Sequence, residues 1–171
     1  MRHIYERKED LARLRAEVAP AFASGNTITT LEQIQYLLAS CPLLRAFFDE
    51  TLRLYSVAPS NRVVLEEMSV GGYTIKPGHN LMCPTYPLHH SAEHFGPHTE
   101  VFNPERFINP ILEDGKPANP RMLRAFGGGI SLCSGRHFAS NEVLSCAANV
   151  IWRYDIEFLD GGVVNITPRK A

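Results

Sequence analysis

Cys133 stands between three consecutive glycines, Gly127 to Gly129, and a segment of helical periodicity, in the run Phe-Gly-Gly-Gly-Ile-Ser-Leu-Cys-Ser-Gly-Arg-His-Phe-Ala from Phe126 to Ala139. A cysteine acts as a nucleophile or a soft metal ligand in its thiolate form. Ala139, Val143, Cys146, Ala147 and Val150 recur on one helical face, which predicts a helix beginning just beyond Cys133. The unpaired N–H groups and positive dipole end of that helix favour a thiolate. Glycines lack a Cβ, so the backbone can take positive φ and come close to a flat ligand. Together these features suit a soft metal ion held from one side. Haem iron is the foremost candidate, because thiolate is one of its few axial ligands. The same residues also fit a small buried cysteine with no chemistry of its own.

Spacing argues against other chemistries for this loop. A phosphate-cradling Walker loop ends in Gly-Lys-Ser/Thr, whereas these glycines run into Ile130 and Ser131. A dinucleotide fingerprint starting at Gly127 needs a glycine where Leu132 stands. A phosphatase-type loop would put arginine six residues after the cysteine, where Ala139 stands. His90, His94 and His98 are spaced like zinc ligands on one helical face. Gly96 and Pro97 break that helix first, and no paired cysteines accompany the histidines. His89, His90, His94 and His98 are therefore expected to be surface histidines. Ser24–Thr30 reads as a loop, and no catalytic residue is identified.

A second cluster lies on the segment Pro42 to Tyr55. At 100° per residue, Leu43, Phe47, Glu50 and Leu54 share one stripe, so Glu50 points into apolar company. A carboxylate placed there needs charged or hydrogen-bonding partners, and Arg53 is the nearest. An ordinary surface ion pair is the alternative.

The elements that must position these residues can be read in outline. The spacing of Ile4, Leu11, Leu14 and Val18 predicts one surface helix over residues 4–19, closed by Pro20. A loop follows, with Thr29 or Thr30 available to cap a helix from Leu31 to Ser40. After Pro59 the period changes: Arg62–Leu65, Ser69–Ile75 and Leu81–Cys83 read as short strands of a small antiparallel sheet, with turns at Gly71-Gly72 and Pro77-Gly78. Arg62 alone reads as a solvent-facing edge charge. An irregular meander runs from Phe95 to Phe126. Asp155–Leu159 and Val163–Ile166 read as a hairpin around Gly161-Gly162.

Composition sets the class around these elements. The 171 residues are 44% hydrophobic and 20% charged with a formal net charge of −1, an ordinary soluble globular balance that suggests neither nucleic acid nor an anionic membrane as partner. Cys41, Cys83, Cys133 and Cys146 have no paired spacing, which points to a reducing, intracellular setting without structural disulfides. No apolar run approaches the roughly 20 residues of a membrane span, so no anchor is expected in this chain.

The cysteine loop resembles the haem-binding signature of the cytochrome P-450 family, the haem-thiolate monooxygenases. Phe126, Gly129, Cys133, Gly135 and Ala139 match its fixed positions, while Ser131 replaces the usual basic residue. A similar replacement marks the branch with sterol 7-hydroxylases, prostacyclin synthases and fungal relatives. Glu50-x-x-Arg53 resembles the family's second signature, and Pro104-Glu105-Arg106-Phe107 its later meander motif.

The resemblance implies a mainly α fold with small antiparallel β-sheets (α+β), the C-terminal part of the cytochrome P-450 fold. Residues 1–171 would be a single incomplete domain. It implies Cys133 as axial iron ligand, and Arg62 as a propionate contact. Phe126, Gly129, Gly135 and Ala139 would complete the haem-binding loop. It further implies a structural cluster of Glu50, Arg53 and Arg106, and Val57 to Asn61 lining the substrate pocket. The distal, oxygen-activating residues would lie outside this sequence. A full-length relative would insert one oxygen atom from O2 into a hydrophobic small molecule. Electrons would come from NADPH through a cytochrome P-450 reductase or similar donor, at the endoplasmic reticulum membrane. A haem-thiolate isomerase or dehydratase needing no O2, and a non-catalytic truncated remnant, are the alternatives.

Overall fold

A computed structural model describes residues 1–109, 115, 119–160 and 163–169. The chain divides into two compact units, Met1–Glu50 with Phe102–Asn109 and Ser134–Ala171, and Thr51–Val101 with Pro110–Cys133. The described residues hold helices, short 3₁₀ turns and three two-stranded antiparallel ribbons, joined by turns and loops.

The first unit opens with helices α1 (Arg2–Glu6) and α2 (Lys8–Val18), where one continuous surface helix was expected. Arg7 breaks them apart with φ −105° and ψ 82°. Its guanidinium is held by Asp10 at 2.7 Å and by the Phe102 carbonyl at 3.1 Å. Nor do these helices lie on the surface alone, since Ile4, Tyr5, Leu14 and Val18 are buried. Pro20 lies in a short 3₁₀ turn, Ala19–Phe22. Helix α3 (Leu31–Ser40) starts at Thr30, whose hydroxyl accepts the Gln33 N–H while the Gln33 side chain accepts the Thr30 N–H, a reciprocal capping box.

Helix α4 (Pro42–Tyr55) buries Leu43, Leu44, Ala46, Phe47, Glu50 and Arg53. Its long apolar face supplies much of the first unit's core, with Phe47 tilted against Phe102 at 5.4 Å between ring centroids.

The long helix that closes the first unit runs from Arg136 to Arg153 and carries Ser140, Leu144, Ala148 and Ile151 inward. The face predicted from Ala139, Val143, Cys146, Ala147 and Val150 is not the core face: Val143 and Cys146 are exposed and the others half-buried. The helix is apolar on two sides, and periodicity alone does not say which one the core takes. A hairpin follows, Tyr154–Phe158 paired in register with Val164–Pro168. Its expected turn at Gly161-Gly162 lies outside the described residues.

In the second unit, strands β1 (Ser60–Val63), β2 (Met68–Val70), β3 (Tyr73–Ile75) and β4 (Asn80–Cys83) pair as two separate ribbons, β1 with β4 and β2 with β3. The expected single sheet is therefore split, while Ser69–Ile75 folds back on itself at the expected Gly71-Gly72 turn. Gly71 and Gly72 take φ +57° and +84°, the left-handed pair that a tight hairpin turn requires. Short helices α5 (Thr85–His89) and α6 (Ala92–Phe95) lead into the meander. A further short helix, α7 (Glu105–Ile108), belongs to the first unit; the long C-terminal helix is α8, and the last two strands are β5 and β6. Among the described residues no helix is long and apolar enough to cross a membrane.

Candidate functional site

The second unit holds the cysteine loop, and local backbone bonds fix its path. The Gly127 N–H donates to the Arg124 carbonyl at 2.9 Å, Leu132 N–H to Gly129 at 3.2 Å and Cys133 N–H to Phe126 at 3.0 Å. The last of these ties the end of the loop to its beginning. Gly127 (φ +78°) and Gly129 (φ +62°) occupy the left-handed region, so both positions demand glycine. Gly128 does not, since its φ of −170° is ordinary extended backbone.

What surrounds these glycines differs. A Cβ on Gly128 would come within 2.9 Å of the Arg124 guanidinium, the movable end of a long side chain. One on Gly129 would meet no atom within 4 Å. The loop thus keeps an open face there. Ile130 is wholly exposed, and Leu132 and Cys133 are exposed too, while Phe126 is half-buried. The reading of Cys133 as a buried inert thiol does not hold.

Arg62, on β1, turns to the same loop: one guanidinium nitrogen donates to the Ser131 hydroxyl and another to the Asn61 carbonyl at 2.7 Å. It is exposed, yet it is not the solitary edge charge that strand periodicity alone suggests.

Arg53 and His89 form the interior of this unit, both with no exposed surface. The Arg53 guanidinium donates to the His89 carbonyl at 2.9 Å and lies 5.7 Å from the Phe95 ring centre. His89 Nε2 accepts the Arg124 N–H at 2.9 Å. The expectation of a surface histidine at 89 is wrong. The helix α5 that carries it turns Thr85 and His89 inward together, one turn apart, and it is too short for its periodicity to register in the sequence. Burial first, and then the charge of Arg53, hold the His89 imidazole below its ordinary pKa.

The remaining histidines scatter. His90 stacks on Tyr86 at 4.0 Å, and His98 sits in a left-handed conformation 3.7 Å from Glu100. Among the described residues no three His, Cys, Asp or Glu side chains gather to hold a metal ion.

In the first unit, Glu50 is fully buried and meets Arg106 Nε at 3.6 Å. The same carboxylate oxygen accepts the Asn103 N–H at 2.8 Å. A buried carboxylate thus has both a cation and a backbone donor for partners, as an apolar setting requires. Gly135 caps α8 with φ −79° and ψ 0°, and the Ala139 N–H donates to its carbonyl at 2.9 Å.

The chain belongs to the cytochrome P450 family, whose sequence model matches residues 1–170. It is 30% identical over 165 residues to a cytochrome P450 monooxygenase of Gibberella zeae, covering 93% of this chain and 32% of that protein. Cytochrome P450 monooxygenase poxM of Penicillium oxalicum is 31% identical over 157 residues, 89% of this chain and 28% of its own. Cytochrome P450 27C1 of Danio rerio is 35% identical over 134 residues, 78% of this chain and 24% of its own. The chain therefore spans about a third or less of the length of these curated relatives.

Haem is the cofactor that membership of this family implies. The residues present fit it. An exposed cysteine follows a loop whose Gly129 faces open space, apolar Ile130 and Leu132 flank that cysteine in the chain, and a guanidinium stands at Ser131.

Proposed function

We propose that this chain, as one incomplete domain over residues 1–171, is the haem-holding C-terminal portion of a haem-thiolate monooxygenase, in which the Cys133 thiolate would hold the haem iron. The observation that carries the reading is the family match over residues 1–170, joined to an exposed Cys133 on a glycine loop with an open face. When bound, the haem would supply the activation of O2 from which one oxygen atom enters a hydrophobic small molecule.

The chain's own residues have holding and orienting tasks. Phe126 and Gly129 give the loop its shape, and Gly135 and Ala139 begin the helix after it. Arg62, whose guanidinium donates to Ser131, would offer a donor to a carboxylate group of the cofactor. Here a serine hydroxyl stands where the family's signature usually has a basic residue, so Arg62 would serve that edge as a cation braced from the loop itself. Glu50, Arg53 and Arg106 hold the framework and take no part in the chemistry. Val57 to Asn61 would border the substrate. Electrons would reach the complete protein from NADPH through a cytochrome P-450 reductase or similar donor, at the endoplasmic reticulum membrane.

The test is the ferrous carbon monoxide spectrum of the haem-loaded protein. Thiolate ligation gives a red-shifted Soret band, and Cys133→Ser should abolish it, because a neutral hydroxyl is a far poorer iron ligand. A Cys133→Ser protein that kept the band would remove Cys133 from the ligand position.

A further inference from the structure

We propose that His89 is a positioning residue for the cysteine loop: its imidazole, anchored to Arg53, grips the backbone at Arg124, the point from which the chain turns toward Cys133. Every bond in this relay lies within the second unit. Arg53 donates to the His89 carbonyl at 2.9 Å, and His89 Nε2 accepts the Arg124 N–H at 2.9 Å. The Arg124 carbonyl then accepts the Gly127 N–H at 2.9 Å, and the Phe126 carbonyl accepts the Cys133 N–H at 3.0 Å. From a fully buried guanidinium to an exposed cysteine the path is made of hydrogen bonds and short stretches of backbone.

The geometry also fixes the state of the ring. A backbone N–H can only donate, so Nε2 must carry a lone pair and the ring proton must sit on Nδ1. An imidazolium has no lone pair at Nε2 and cannot make this bond. The ring has little freedom to reorient. It is fully buried, it meets Phe95 edge-on with centroids 6.4 Å apart and rings at 88°, and Arg53 occupies the space beside the same Phe95 ring. A buried histidine serving only to fill space would not need its one acceptor aimed at a loop amide. The proposal rests on the haem-thiolate reading only for what Cys133 holds. The grip on Arg124 is a property of the chain itself.

The test is amide hydrogen exchange in the full chain, followed by NMR without cofactor. Two neutral variants separate tether from filler. In His89→Gln the amide oxygen reaches the place of Nε2, whereas in His89→Asn the shorter side chain puts its oxygen near the place of Nδ1. Relative to the Val64 amide, which bonds to the His79 carbonyl in the same unit, Arg124 should exchange about tenfold faster in His89→Asn. It should return to within about threefold of the parent rate in His89→Gln. In the parent, the imidazole ¹⁵N spectrum should show a bare Nε2 and a protonated Nδ1. Equal Arg124 exchange in the two variants, or a parent ring protonated at Nε2, would overturn the proposal. Loss of the thiolate Soret assignment would leave it standing, so failure here is distinct from failure of the haem reading.

Discussion

The Glu17 carboxylate closes the start of helix α4, with Oε1 accepting the Leu43 N–H at 2.8 Å and Oε2 accepting the Leu44 N–H at 2.9 Å. Residues at a helix start have no intrahelical acceptor for these N–H groups, so a carboxylate from α2 does the work of a local cap. Glu17→Ala should lower stability by about 1–3 kcal/mol, since two half-buried donors would lose their partner. Glu17→Gln, with a single acceptor oxygen, should fall between. Denaturant melts would show it, and an alanine variant as stable as the parent would mean that water replaces the cap without cost.

Beside that cap sits Cys41, almost wholly buried, its Sγ 3.5 Å from the Glu17 carbonyl. Burial, with the Glu17 charge adding to it, pushes the Cys41 thiol up to about 12. Cys41 should therefore resist alkylation in the folded chain, while the exposed Cys83, Cys133 and Cys146 label. Mass-spectrometric mapping after brief iodoacetamide treatment reads the contrast directly. Labelling of Cys41 at the rate of Cys83 would contradict the packing around it.

Glu50→Ala should cost about 3–5 kcal/mol, because it strips a buried Arg106 of its 3.6 Å counter-ion and the Asn103 N–H of its acceptor. Arg106→Ala should be damaging for the reciprocal reason. The double variant should lose less than the sum of the two, the mark of residues that interact. Strict additivity in melts of the three proteins would deny the coupling.

His89 makes folding sensitive to pH in a stated direction. Burial holds its folded-state pKa below the unfolded value of 6.5, with the charges of Arg53 and His90 adding to the effect and the Ser56 backbone opposing it. Between those two pKa values the unfolded chain binds more protons, so stability rises with pH. The contribution of His89 is complete above about pH 6.5 and is lost as pH falls through the folded-state value. Urea melts of the parent and His89→Gln from neutral to mildly acidic pH should differ in slope, the variant lacking the His89 part. Parallel curves would mean that His89 does not titrate with folding.

Motif spacing made the glycine loop before Cys133 and the helical turn from Glu50 to Arg53 stand out in the sequence, because those residues are close in the chain and their types are restrictive. Helix α4 was equally readable, its bounds and buried stripe following from periodicity. The rest depended on partners far along the chain. Nothing near Glu17 signals that it caps a helix starting at Pro42, and nothing near His89 signals an amide at Arg124. Arg7 breaks its helix for the Phe102 carbonyl, 95 residues away in sequence. Helix α8 misled for a different reason: with apolar residues on both sides, its pattern is compatible with either face turned inward, and only tertiary packing selects the one bearing Leu144 and Ile151.

The grip of His89 falls on the amide of residue 124 and not on its side chain, which leaves that position open to drift over generations. The Arg124 side chain is exposed, and any residue with a backbone N–H could offer the same bond. Proline alone could not. Selection acting through this contact would therefore leave its trace at position 89 and as a missing proline at 124, a constraint that counting identical residues at 124 would overlook.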